Sequence, residues 1–135
     1  MEKTDLSYIA GIIDGEGYIC GVRHITRKTK LVHYDVVVGI QMTTDLPLML
    51  VQNIFGGNLT KRQPKGNRKV IYRWEVLNSN AKALLLAINP YILVKKGQVE
   101  IALRMLENHP PYKHYDSMER FLHEADALAI KELNN

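Results

Sequence analysis

The stretch Ile9-Ala10-Gly11-Ile12-Ile13-Asp14-Gly15-Glu16-Gly17 decides how this chain is read. Ahead of it Thr4 or Asp5 can cap a helix, and Leu6, Ile9, Ile12 and Ile13 recur at the spacing of one helical face. Gly15 and Gly17 are expected to end that helix. Ser7, Gly11 and Gly15 fall four residues apart, so a second stripe of the helix carries almost no side chain. Glycine inside a helix costs about 0.5–1 kcal/mol relative to alanine. Such a stripe makes sense where another helix approaches backbone to backbone. Asp14 and Glu16 lie at the helix C-terminus, where the dipole disfavours negative charge by about 0.3–1 kcal/mol. Carboxylates placed there invite a compensating cation, and a divalent metal held by carboxylate and carbonyl oxygens fits.

Composition bounds what surrounds this stretch. The chain has 135 residues, the length of one domain, taken as residues 1–135. Hydrophobic residues make up 46% and charged residues 24%, which allows a packed core and argues against disorder. The net charge of +4 is unevenly spread. Residues 1–18 carry one base and four acids, residues 19–73 ten bases and two acids, and residues 74–135 seven bases and eight acids. The basic excess therefore occupies one continuous segment, as a polyanion-binding surface requires. The single Cys20 excludes an intramolecular disulfide framework and a CxxC metal clasp. No run of about 18 apolar residues exists to cross a membrane, and the polar, acidic start is unlike a targeting peptide. A soluble intracellular protein with no membrane partner is expected.

Residues 18–27 and 31–43 are rich in β-branched side chains, with a polar turn at Lys28-Thr29-Lys30, and predict a long hairpin. In the second, Val36, Val38, Ile40 and Met42 alternate with Asp35, Val37, Gly39 and Gln41, so one face meets a core. Asp45 precedes an apolar helical run that Gly56-Gly57 stops. Residues 58–63 and 69–77 predict a second hairpin around Pro64-Lys65-Gly66-Asn67. Its last strand alternates Val70, Tyr72, Trp74 and Val76, expected beneath the sheet, with Lys69, Ile71, Arg73 and Glu75. Three helices follow. Ser79 or Asn80 caps residues 81–88, residues 95–108 end before Pro110-Pro111, and residues 117–133 set Met118, Phe121, Leu122, Ala125, Leu128 and Ala129 on one stripe. The order α-β-β-α-β-β-α-α-α predicts an α+β domain with a four-stranded antiparallel sheet that carries the positive charge. The remaining histidines, His33, His109, His114 and His123, show no metal-ligand spacing and are expected on the surface.

Residues 9–17 resemble the motif of the LAGLIDADG homing endonuclease family. They match it at Ala10, Gly11, Ile13, Asp14 and Gly17, with Ile for Leu twice, Gly for Ala and Glu for Asp. The element order is also similar, and the chain carries one copy of the motif. The resemblance implies a homodimer whose motif helices meet through Ser7, Gly11, Asp14 and Gly15. It implies a curved sheet forming a DNA-binding saddle over a long pseudo-palindromic target, and metal-dependent hydrolysis of both strands leaving 3′ overhangs. It also implies Mg2+ as cofactor, with Mn2+ able to substitute, and an origin in a bacterial or archaeal cytoplasm or a eukaryotic organelle.

Carried over residue by residue, the resemblance makes Glu16 the metal-binding acid and the Gly15 carbonyl a second ligand. Lys95 matches the active-site lysine, and Thr44 stands where similar enzymes often carry Gln. The implied DNA-binding residues are Arg23, His24, Thr26, Arg27, Lys28, Gln41, Lys61, Arg62, Arg68, Lys69, Ile71 and Arg73. Two other readings remain: an RNA maturase that binds its host intron RNA, and a non-cleaving DNA-binding regulator on the same scaffold.

Overall fold

A computed structural model describes residues 2–108 and 115–135. The elements are helix α1 (Lys3–Glu16), strands β1 (Gly17–Ile25) and β2 (Val32–Met42), helix α2 (Leu46–Phe55), strands β3 (Asn58–Arg62) and β4 (Ile71–Leu77), and helices α3 (Asn78–Ile88), α4 (Lys96–Glu107) and α5 (Ser117–Asn134). A short 3-10 turn, Asn89–Tyr91, joins α3 to the approach of α4. The four strands form one antiparallel sheet in the order β1-β2-β4-β3, the α+β class expected.

Register turns the period-two patterns into two faces. Ile19 stands opposite Val38, Val38 opposite Val76, and Ile40 opposite Trp74, all of them buried. This inner face packs on Ile9, Ala10 and Ile13 of α1, Leu84, Leu85 and Ile88 of α3, and Val99, Ala102 and Met105 of α4. Trp74, fully buried, donates its indole N–H to the Gly56 carbonyl at 2.8 Å, as a buried indole must find an acceptor. Tyr72 also lies on the inner side, partly buried. The outer face presents Tyr18, Cys20, Val22 and His24 of β1, then His33, Asp35, Val37, Gly39 and Gln41 of β2, then Ile71, Arg73 and Glu75 of β4.

Several local expectations are corrected. Helix α1 begins at Lys3 with Glu2 as its N-cap and no capping side chain, so Thr4 and Asp5 lie within its first turn. It runs through Gly15 and stops at Glu16, with Gly17 already extended. A side chain at Gly17 would sit 2.8 Å from the Ile13 backbone, which makes the helix-to-strand join abrupt. Asp45 precedes α2 but makes no cap hydrogen bond, and α3 starts at Asn78 rather than after Ser79 or Asn80. The proline pair 110–111, expected to close α4, lies outside the described residues, as do His109 and His114.

Helix α5 departs furthest from expectation. Asp116 and Glu119 form a capping box at its start, yet the apolar stripe does not pack. Met118, Phe121, Leu122 and Leu128 are exposed, Phe121 at 70%. The helix instead turns the narrower line His123, Ala127 and Ile130 inward, and Ala127 fits against Gly21, where a side chain would be 3.1 Å away. His123 is thus buried, not superficial. Its ring nitrogens sit 2.9 Å from the Glu119 carbonyl and 3.2 Å from that of Met105, edge-on to Tyr115. The amphipathic period correctly marks a helix, but the side that a small-residue contact can approach is the one that docks.

Glycine conformation yields a test. Gly57 has φ +98, and a side chain there would fall 2.6 Å from the Glu75 carbonyl, whereas Gly66, at φ +81, faces open space. Gly66→Ala is therefore expected to lose about 1–2 kcal/mol from backbone strain alone. Gly57→Ala adds a backbone collision and is expected to lose at least about 3 kcal/mol. Urea unfolding of the two variants checks the difference.

Candidate nucleic-acid interface and metal centre

The end of α1 is held by a set of hydrogen bonds to a segment about eighty residues further along the chain. The Asp14 carboxylate accepts backbone N–H groups from Leu93 (2.8 Å), Val94 (3.2 Å) and Lys95 (3.0 Å). The Lys95 ammonium donates to the Asp14 carbonyl at 2.8 Å, satisfying one of the acceptors that every helix leaves unbonded in its last turn. Asp14 is therefore fully engaged in structure, and the join fixes the entry to α4.

Glu16 has a different environment. It is exposed, and among the described residues no hydrogen bond or ion pair engages its carboxylate. It lines a cleft of about 340 Å³ with Gln41, Met42, Thr43 and Ile71. Gly15 belongs to the same final turn, where a helix leaves backbone carbonyls without the N–H of a following turn. An unpaired carboxylate beside the Gly15 carbonyl oxygen is the hard oxygen donor set that Mg2+ or Ca2+ prefers. The residues present fit a divalent cation.

The other residues expected at the site are placed as follows. Gln41 shares the Glu16 cleft. Thr44 is exposed just beyond it, and its neighbour Thr43 lines the cleft in its stead. Lys95 lines a separate cleft with Gly17, Tyr18, Val94 and Gln98, its ammonium held by Asp14. Ser7, Gly11 and Gly15 are exposed, and side chains added at either glycine would meet nothing within 4 Å.

Of the residues expected to face DNA, His24, Gln41, Arg62, Ile71 and Arg73 share the outer face of the sheet. Thr26, Arg27 and Lys28 form the exposed β1–β2 turn, and Arg68 and Lys69 the exposed loop before β4. Regular pairing continues through Ile25 with no bulge, so Arg23 stands opposite Tyr34 and has inner-face parity, although it is exposed, and it lines clefts with Glu124. Lys61, opposite Tyr72, likewise has inner-face parity, although it is exposed at the sheet edge.

Sequence reasoning missed a polar network in the middle of the outer face. The Tyr18 hydroxyl donates to Glu75 at 2.7 Å, and Glu75 pairs with Arg73 at 3.4 Å. Gly39 makes room for the Tyr18 ring, which would lie 2.2 Å from any side chain there. Strand alternation placed Glu75 and Arg73 on one face, but pairing Tyr18 with Gly39 needed the register. Burial, then the hydrogen bond to Glu75, pushes the Tyr18 phenol up to about 12.

No family model matches the sequence, and no curated protein matches it. Solved structures do. The homing endonuclease I-CvuI, in complex with the I-CreI target in the presence of 2 mM Mg with the DNA not cleaved, aligns with TM-score 0.80 at 19% identity, covering 97% of this chain and 82% of that one. The archaeal intron-encoded homing endonuclease I-Vdi141I, complexed with DNA, aligns at 0.65 and 17% over 99% of both chains. The meganuclease I-SmaMI, bound to uncleaveable DNA, aligns at 0.71 and 17% over 93% of this chain and 45% of that one. The chain has the LAGLIDADG homing endonuclease fold.

Tyr34 and Tyr115, like Tyr18, are held protonated to about 12, with burial the largest cause in each. Above the ordinary phenol value of about 10 an unfolded chain releases these protons while the native chain keeps them. Stability is therefore expected to be undiminished by these groups below about pH 10 and to fall steadily towards 12. Urea midpoints measured across that range, with tyrosinate absorbance followed in parallel, check both halves.

Proposed function

We propose that this chain is a homodimeric, sequence-specific homing endonuclease that hydrolyses both strands of a long pseudo-palindromic DNA target, leaving 3′ overhangs. The observation that carries this reading is Glu16. Its carboxylate stands exposed and unengaged at the end of the motif helix, in a cleft bordered by the outer sheet face that also carries Arg73 and Arg62. Binding DNA alone needs no such acid beside a basic surface, because it would repel phosphate. The solved structures of this fold whose descriptions name bound DNA add support.

Glu16 and the Gly15 carbonyl would hold Mg2+, with Mn2+ able to replace it. When bound, the metal supplies activation of water and charge stabilisation at the scissile phosphate. Lys95 adds positive charge beside the phosphate. Its bond to the Asp14 carbonyl keeps the ammonium at the helix end without using the Glu16 carboxylate. Thr44 orders solvent at the cleft mouth, and Gln41 and Arg73 reach base edges from the sheet while Arg27, Lys28, Arg68 and Lys69 meet flanking phosphates. The exposed line of Ser7, Gly11 and Gly15 lets a second α1 approach closely and brings two Glu16 clefts together across the target. Intron homing would follow from such a cut.

Glu16→Gln is expected to abolish Mg2+-dependent cleavage while leaving target binding within about twofold, because only the charge is removed. Cleavage at the wild-type rate would overturn the assignment. Gly11→Leu is expected to convert the dimer to monomers by light scattering, and an unchanged dimer would place the interface elsewhere.

A further inference from the structure

A second cluster of donors lies on the outer face, on strands that carry none of the nuclease metal's ligands. His24 stands directly opposite His33 in the β1–β2 register, and Asp35 follows two residues on, on the same face. Their ligand atoms all lie within 4.8 Å of one another. The two imidazoles stack with centroids 5.1 Å apart, and His24 Nε2 is 3.1 Å from Asp35 Oδ2. We propose that His24, His33 and Asp35 form a binding site for a borderline divalent cation, Zn2+ or its like.

Donor chemistry favours that class. Two imidazoles and one carboxylate suit zinc and its neighbours, whereas Mg2+ and Ca2+ take oxygen. The site is thus chemically distinct from the all-oxygen set at Glu16. Bonds of about 2.0–2.1 Å in a tetrahedral arrangement place donors about 3.3 Å apart. The His24–Asp35 separation is already close to that value. His24 is 45% exposed, so its ring can turn to bring the remaining nitrogen into range.

The carboxylate is also supported from behind. Its other oxygen accepts the Asn78 side-chain N–H at 2.8 Å, and the Asn78 side-chain Oδ1 accepts the Val36 backbone N–H at 3.0 Å. Asn78 holds φ 47 to do this. Partners of this kind orient metal-ligating side chains. Two strands of a paired sheet supply the three ligands, so little is left to order when the ion arrives. A bound cation would clasp the hairpin just short of its basic turn and add two positive charges to the outer face.

The test uses the full chain carrying Glu16→Gln, stripped with a chelator and kept in excess Mg2+ so that oxygen sites are silent. Zn2+ is titrated against a chromogenic chelator, and Co2+ is added separately to read tetrahedral visible absorption. About one equivalent per chain is expected, with the Co2+ band present. His24→Asn is expected to weaken uptake at least about tenfold, and His24→Asn with His33→Asn to remove both signals while the far-UV circular dichroism stays unchanged. No uptake by the parent chain, or uptake undiminished in His24→Asn, would overturn the site. Should the double variant misfold, His24→Asn decides alone, since that side chain is 45% exposed and its loss removes only the stack on His33 and the pair with Asp35. DNA is absent throughout, so failure of the nuclease reading and failure of this site are separately visible.

Discussion

The join between Asp14 and the 93–95 turn holds the rest of the site in place. One carboxylate at a helix C-terminus is stabilised by three backbone N–H groups, and the cation that follows them returns to the helix carbonyl. The unfavourable placement of an acid at the negative end of a dipole is thereby offset by donors aimed directly at it. With Asp14 so occupied, Glu16, two residues on, is left as the carboxylate free to meet a cation. The division of labour between the two acids follows from geometry: one is surrounded by donors, the other by a solvent-filled cleft.

The outer face of the sheet is less simply basic than its composition suggests. Arg73 is tied to Glu75, Glu75 to Tyr18, and Tyr18 rests on Gly39. An arginine restrained by a neighbouring carboxylate presents its remaining donors in a defined direction, which suits reading a base edge better than gripping a phosphate. The unpaired bases lie at the hairpin tips, in the β1–β2 turn and the loop before β4. The sheet therefore separates a structured polar centre from an exposed cationic rim in chemistry as well as position, and the acids Asp35 and Glu75 hold that centre in order.

Much of this was legible in the residues. Period-two alternation along β2 and β4 assigned both faces, and Gly56-Gly57 marked the end of α2. Resemblance to one nine-residue motif led to the fold. What was not legible depended on register or on competition between surfaces. His24 and His33 are nine positions apart, with no ligand spacing to notice, and only antiparallel pairing sets them face to face. Arg23 has inner-face parity although it is exposed, which only its register with Tyr34 reveals. The stripe from Met118 to Leu128 has the stronger hydrophobic character, yet α5 docks through Ala127 because Gly21 offers close approach there. Capping at Thr4 and Asp5 failed because the helix begins at Lys3, ahead of both, and they fall inside its first turn.

The bonds from Asp14 reach 79 to 81 residues along the chain. Closing so long a loop is entropically unfavourable until intervening elements have already formed. Contacts of that separation belong to the late, slow part of folding, after the local hairpins and helices have condensed. A growing or partly folded chain therefore displays its basic hairpins before its acidic helix end is set. Such a species could cling to polyanions without possessing an assembled Glu16 cleft. The Glu16 cleft is complete only when these long-range bonds have closed.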